Sequence, residues 1–168
     1  MKIKIELLKD DLDLHQFDCN NSSINEQVKE SLFTTLIKKG YAYKICLDDE
    51  VVGYYLISLA SVVNYSGTYD PQKLCTAIKL DYLAIAKKYQ GKGLGHKIID
   101  YLVRYARDIS HSLPVRYFTL DSLSGKERLY ASCGFLHHEG GDSLSPTTTM
   151  YIDCIDEKAI EKYHSEHI

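Results

Sequence analysis

The chain has 168 residues, 45% hydrophobic and 26% charged, with 20 Lys and Arg against 23 Asp and Glu and a formal net charge of −3. That balance excludes a disordered or fibrous chain and describes one domain large enough to bury a core. No apolar run approaches the ~20 residues that span a bilayer, and the opening MKIKIELLKDDLDL mixes charge with hydrophobe unlike a signal peptide, so the expected location is the cytoplasm.

Residues 3–8 alternate as a first strand, and Ser23-x-x-Glu26 fits a capping box at a helix start. Ile24, Val28, Leu32 and Leu36 then place one apolar stripe on a helix that Gly40 can end. Tyr41 to Leu47 and Val51 to Val63 flank the polar turn Asp48-Asp49-Glu50 as a hairpin, with Gly53 marking a bulge. Ala77 to Ala86 reads as a central strand. Leu94, Ile98, Leu102 and Ala106 define a helix from Leu94 to Ile109. Val115 to Leu120, a short helix over Gly125 to Ser132, a Gly/Ser-rich loop and a strand from Thr147 to Ile152 complete a mixed α/β sheet.

Charge is unevenly spread. The tail 154–168 is read as an acidic, helical terminus following a domain over 1–153, because over 153–168 Asp153, Asp156, Glu157, Glu161 and Glu166 meet only Lys158 and Lys162. Within 87–107, Lys87, Lys88, Lys92, Lys97, Arg104 and Arg107 face one acid, Asp100. Cys19, Cys46, Cys75, Cys133 and Cys154 are scattered without a C-x-x-C pair and read as reduced thiols. His137-His138 and His164-x-x-His167 lack a third ligand and read as solvated, so no metal cofactor is expected.

Chemistry concentrates in Leu83-Ala84-Ile85-Ala86-Lys87-Lys88-Tyr89-Gln90-Gly91-Lys92-Gly93-Leu94-Gly95-His96. Glycines that open a helix let consecutive N–H groups approach an anion where the helix dipole is positive, which implies a phosphate-bearing ligand. The spacing fits neither the dinucleotide fingerprint nor a P-loop.

Gln90-x-x-Gly93-x-Gly95 resembles the pyrophosphate motif of the GNAT acetyltransferases, and Tyr130, four residues before Gly134-Phe135, resembles that family's Tyr. Phe17-Asp18-Cys19, the hairpin strand over 51–58 and Ser145-Pro146 before Met150-Tyr151 extend the likeness to the GNAT toxins of bacterial type II toxin–antitoxin pairs over residues 5–153. Leu123 stands where many members have Asn. The resemblance implies a GNAT fold and acetyl-CoA as co-substrate, with Gln90, Gly91, Lys92, Gly93, Leu94, Gly95 and His96 around its phosphates. It implies that Leu83, Ala84 and Ile85 lie along the pantetheine arm and that Tyr130 is the catalytic acid. It further implies transfer to the α-amine of aminoacyl-tRNA, blocking translation, and neutralisation by a ribbon-helix-helix antitoxin. A homodimer is a further candidate assembly. A small-molecule amine or protein N-terminus as acceptor, or a non-catalytic acyl-CoA-binding module, are the alternatives left open. No strong base is evident, and an α-amine needs none, because its pKa of about 7.7–8.0 leaves a useful neutral fraction.

Overall fold

The computed structural model describes residues 2–141 and 144–168; two residues of the expected Gly/Ser-rich loop, 142 and 143, lie outside the described residues. Strand β1 (Ile3–Leu7) is followed by α1 (Ser22–Lys29), α2 (Ser31–Leu36), β2 (Tyr41–Leu47) and β3 (Glu50–Val62). Next come β4 (Cys75–Ile85), α3 (Leu94–Ser110), β5 (Tyr117–Leu123), α4 (Glu127–Ser132), β6 (Leu136–His137), β7 (Thr147–Asp153) and α5 (Glu157–His167). The seven strands form one sheet in the order β1-β2-β3-β4-β5-β7-β6. Every neighbouring pair is antiparallel except β4 and β5, which run parallel.

Helix α3 forms where expected because Leu94, Ile98, Leu102 and Ala106 share one face, and all four are buried with Ile99. They pack on Ile78, Leu80, Phe118, Leu120, Met150 and Ile152 from the sheet, with Phe135 beside α4. Each Leu or Ile so buried contributes about 1.5–3 kcal/mol. The opposite sheet face packs Tyr54, Leu56, Tyr82 and Ala84 against Val28 of α1 and the partly buried Ile24 and Leu32.

The first helical segment differs from the sequence reading. Asn21, not Ser23, is the N-cap, its side chain accepting from the Ile24 N–H at 3.1 Å. The helix then breaks at Glu30. Ser31 is fully buried, and its hydroxyl bonds the Gln27 carbonyl at 2.9 Å and the Tyr82 hydroxyl, a side-chain competition of the kind that bends helices. The break turns Leu36 into solvent, 69% exposed, so the expected stripe ends at Leu32. The left-handed residue after α2 is Lys38, not Gly40; Gly40 instead leaves room for Leu56, whose Cδ2 would lie 2.9 Å from an added Cβ.

The hairpin turn at Asp48 and Asp49 has positive φ at both residues, which matches the twist of its strands. Ile45 lies opposite Gly53 and Cys46 opposite Val51, so a bulge falls beside Gly53 as expected. A Cβ on Gly53 would sit 2.4 Å from the Ala84 carbonyl.

A second bulge lies in β4. Leu56 faces Tyr82 while the next residue, Ile57, faces Leu80, leaving Asp81 as the extra residue. Alternation changes phase there: Ile78 and Leu80 point to α3, and beyond the bulge so do Leu83 and Ile85, while Tyr82 and Ala84 turn to α1.

Candidate functional site

Parallel pairing of β4 with β5 covers only Ala77 to Leu80 against Tyr117 to Leu120. Beyond these residues β5 continues antiparallel to β7 as far as Leu123, and β4 continues along β3 as far as Ile85. The two strands therefore part, and the β5-facing edge of Leu83, Ala84 and Ile85 has no partner strand among the described residues. Backbone donors and acceptors on such an edge are ready to pair with an extended ligand.

The strand end leads into a single 3-10 turn, Lys87–Tyr89, and then the glycine loop. The Gln90 side-chain amide donates to the Ile85 carbonyl at 2.9 Å and to the Cys19 carbonyl at 2.7 Å. The loop is held a second time where the Lys87 N–H donates to the Asp18 carbonyl at 3.0 Å. Gln90 thus braces the loop against the strand and the chain before α1.

Gly93 caps α3 with φ +79, and the Lys97 N–H closes the first turn onto its carbonyl at 3.3 Å. The N–H groups of Leu94, Gly95 and His96 are consequently the unpaired donors of a helix start. A Cβ on Gly91, Gly93 or Gly95 would meet nothing within 4 Å, so the space over these donors is open. Lys92 leans on the Tyr89 ring, its Nζ 5.5 Å from the centroid, and Lys88 is bonded to Glu50 together with the Tyr89 hydroxyl. These bonds hold the Glu50 carboxyl below the usual carboxylate range.

Tyr130 lies on α4, its ring edge-on to Phe135 at 5.9 Å. Burial raises its pKa, so the phenol keeps its proton at neutral pH. Cys133, at the C-cap of α4, reaches His96 and Asp100 of α3, which brings the Tyr130 helix alongside the first turns of α3. The Leu83–Ile85 edge and the Gln90–His96 loop thus border the opening left by the parted strands, while Tyr130 packs against the same core cluster as Leu83 and Ile85.

Two features were missed in sequence. A groove of about 550 Å³ on the α1 face is lined by Glu26, Glu30, Lys39, Ser58, Asp81 and Tyr82 among others. The bulge directs Asp81 there, and desolvation pushes its carboxyl pKa up despite a hydrogen bond from Ser58. The second is the His96, Asp100 and Cys133 cluster. Asp121 is structural: Lys79 reaches it at 3.0 Å and Thr149 donates at 2.9 Å, linking β4, β5 and β7. Burial opposes its charge, but these two donors prevail and lower its pKa. A larger hollow of about 610 Å³ lies on the hairpin side, between Phe17, Glu50, Tyr54 and Lys87, and excludes the glycines.

Residues 38–136 match the family model described as acetyltransferase (GNAT) domain. No curated protein matches the chain by sequence. Among solved structures, AtaT complexed with acetyl-methionyl-tRNAfMet has a TM-score of 0.76 at 22% identity, covering 97% of this chain and 99% of that one. A Tyr-to-Phe mutant of the AtaT toxin, bound to the C-terminus of the antitoxin AtaR and acetyl-CoA, has a TM-score of 0.73 at 22% identity, with coverage of 98% and 99%. A Tyr-to-Phe mutant of KacT reaches 0.78 at 21% identity, with coverage of 97% and 99%. These likenesses establish a shared fold along nearly the whole chain.

Proposed function

The chain belongs to the GNAT acetyltransferase family, and from that premise we propose that it transfers the acetyl group of acetyl-CoA to the α-amine of an aminoacyl-tRNA in the cytoplasm, as the toxin of a toxin–antitoxin pair. The observation that carries the chemistry is the parting of β4 from β5 directly before a glycine loop with free N–H donors. The pantetheine arm lies along Leu83 to Ile85, and the pyrophosphate takes the N–H groups of the loop around Gly91 to His96. An N–H of the strand edge polarises the thioester carbonyl as the amine attacks. The tetrahedral intermediate loses the amine's extra proton to solvent and expels the CoA thiolate, which Tyr130 protonates before regaining a proton from solvent. The acceptor arrives partly neutral, so a strong base is dispensable.

The acceptor assignment draws on the AtaT neighbour, whose complex holds acetyl-methionyl-tRNAfMet, and on the exposed basic residues of α3. Lys97 and Arg104 stand two turns apart with Tyr101 between them, and Arg107 follows on the next turn. These three cations make no ion pair among the described residues and suit a phosphate backbone. The antitoxin assignment rests likewise on the AtaT structure bound to the C-terminus of AtaR.

Incubation of the purified protein with acetyl-CoA and aminoacylated total tRNA, followed by mass spectrometry of the released amino acids, tests this reading. N-acetyl amino acids in the tRNA fraction are expected. The groove at Asp81, with three carboxylates and one lysine among its lining, favours a second reading in which the acceptor is a small amine. Acetylation of small amines at comparable efficiency, with tRNA untouched, would select it.

A further inference from the structure

His96 and Asp100 stand one turn apart on α3, with Nδ1 and Oδ2 at 3.2 Å. The Cys133 thiol approaches them from the end of α4, so that one ligand atom of each residue lies within 4.8 Å of the others. All three side chains are of intermediate burial, shielded yet reachable. We propose that this triad is a regulatory Zn²⁺ site whose occupation excludes acetyl-CoA.

The donor set selects the ion. Imidazole nitrogen, carboxylate oxygen and thiolate sulfur together suit Zn²⁺, whereas Mg²⁺ and Ca²⁺ take oxygen ligands. Zinc bonds of about 2.0–2.3 Å set tetrahedral ligand atoms roughly 3.3–3.8 Å apart. His96 and Asp100, at 3.2 Å, stand within about 0.1 Å of that spacing, and the remainder closes by rotation of partly exposed side chains. On binding, the S–H bond of Cys133 breaks, its electron pair goes to the metal as a thiolate donor and the proton goes to solvent. Water fills the fourth position. Zinc enters as a regulator and takes no part in acetyl transfer.

The antagonism follows from position and rests on the glycine loop being the cofactor site. β4 leads through that loop into α3, and β5 leads into α4. A ligand running from the parted strands to the loop donors therefore ends at the first turn of α3. His96 belongs to that first turn and carries one of its free N–H groups, and Cys133, the C-cap of α4, lies against it. A metal held by the triad stands beside those donors and engages His96, so metal and cofactor bind in competition.

The full-length protein is titrated with ZnCl₂ by calorimetry, with Co²⁺ as the optical probe. One ion per chain and a near-ultraviolet thiolate-to-cobalt band are expected. At zinc ten times its own Kd, the apparent Kd for acetyl-CoA should rise about elevenfold, as simple competition requires. Cys133→Ser and Asp100→Asn should each weaken zinc binding tenfold or more and abolish the cobalt band or shift it, while keeping the metal-free acetyl-CoA affinity and losing its response to zinc. Zinc binding that persists unchanged in both variants, or that occupies the triad and leaves acetyl-CoA affinity unaltered, overturns the proposal. Failure of the metal-free protein to bind acetyl-CoA would overturn the cofactor reading and the competition with it; the cobalt band reads the metal site separately from that reading.

Discussion

Ser58 donates a 2.6 Å hydrogen bond to the carboxylate of Asp81 across the β3–β4 pair. The bond fixes the bulge residue at the groove, where desolvation raises its pKa and Ser58 and Lys79 only partly offset the effect. A carboxyl whose folded pKa exceeds its unfolded value, about 3.9, loses native stability as pH rises from that value through the folded one. Asp81→Asn keeps an acceptor for Ser58 and removes the charge. At pH 7 it should melt about 1–3 °C above the parent, the modest size reflecting solvent screening, and the gap should close below pH 4. Thermal melts across that range decide it, and a lower melting temperature at pH 7 would show the charge to be stabilising.

Gly95 offers the cleaner test of the phosphate loop. Its φ is not in the left-handed region and no atom lies within 4 Å of an added Cβ, whereas Gly93 at φ +79 would be strained by any side chain. Gly95→Val should leave the melting temperature within a few degrees, because Val is no worse than Gly in a helix. Its isopropyl group fills the space over the free N–H donors, so acetyl-CoA affinity by calorimetry should fall tenfold or more. Unchanged affinity would remove the pyrophosphate from this loop.

Tyr130→Phe preserves the ring contact with Phe135 and deletes only the hydroxyl. Loss of a general acid lowers kcat by roughly 10²–10⁴-fold with acetyl-CoA binding little changed. Burial holds the phenol protonated well past neutrality, so its titration should produce no fall in kcat between pH 7 and 9. A fully active Phe variant would end this role. In cells, the same substitution should relieve growth arrest caused by the protein expressed alone.

On α3, replacing Lys97, Arg104 and Arg107 by Gln should weaken tRNA binding and flatten its salt dependence by about 0.9 in log–log slope for each phosphate no longer neutralised. Acetyl-CoA affinity should stay near the parent value. Lys88→Ala should matter less, because Lys88 already serves Glu50. Filter binding at several salt concentrations measures both, and equal slopes for parent and triple variant would place tRNA elsewhere.

Period and composition made α3 legible, since four apolar residues at four-residue spacing leave little choice of face. The hairpin was equally plain, because two acidic residues between β-branched runs favour a tight turn. The break at Ser31 was not, because it depends on a hydroxyl finding Tyr82 from a distant strand. Nor was Asp81: a bulge is a mismatch in length between two strands, and neither strand alone records it. The His96, Asp100 and Cys133 cluster was half visible as an i, i+4 pair, but its third member arrives only through the docking of a separate helix.

The bulge also makes Asp81 the one residue of β4 that alternation can spare: without it Leu80 and Tyr82 would be neighbours on opposite faces, as they already are. Losing any residue between Tyr82 and Ile85 instead, with α3 and the glycine loop fixed in place, would put the side chains on the two sides of the gap out of step, so that one set would exchange faces. Point substitutions there alter chemistry; a single-codon deletion past the bulge would scramble the seam where the sheet opens. Drift in length among related chains should accordingly collect in the turn-rich connection over 64–74 and leave the strand past the bulge untouched.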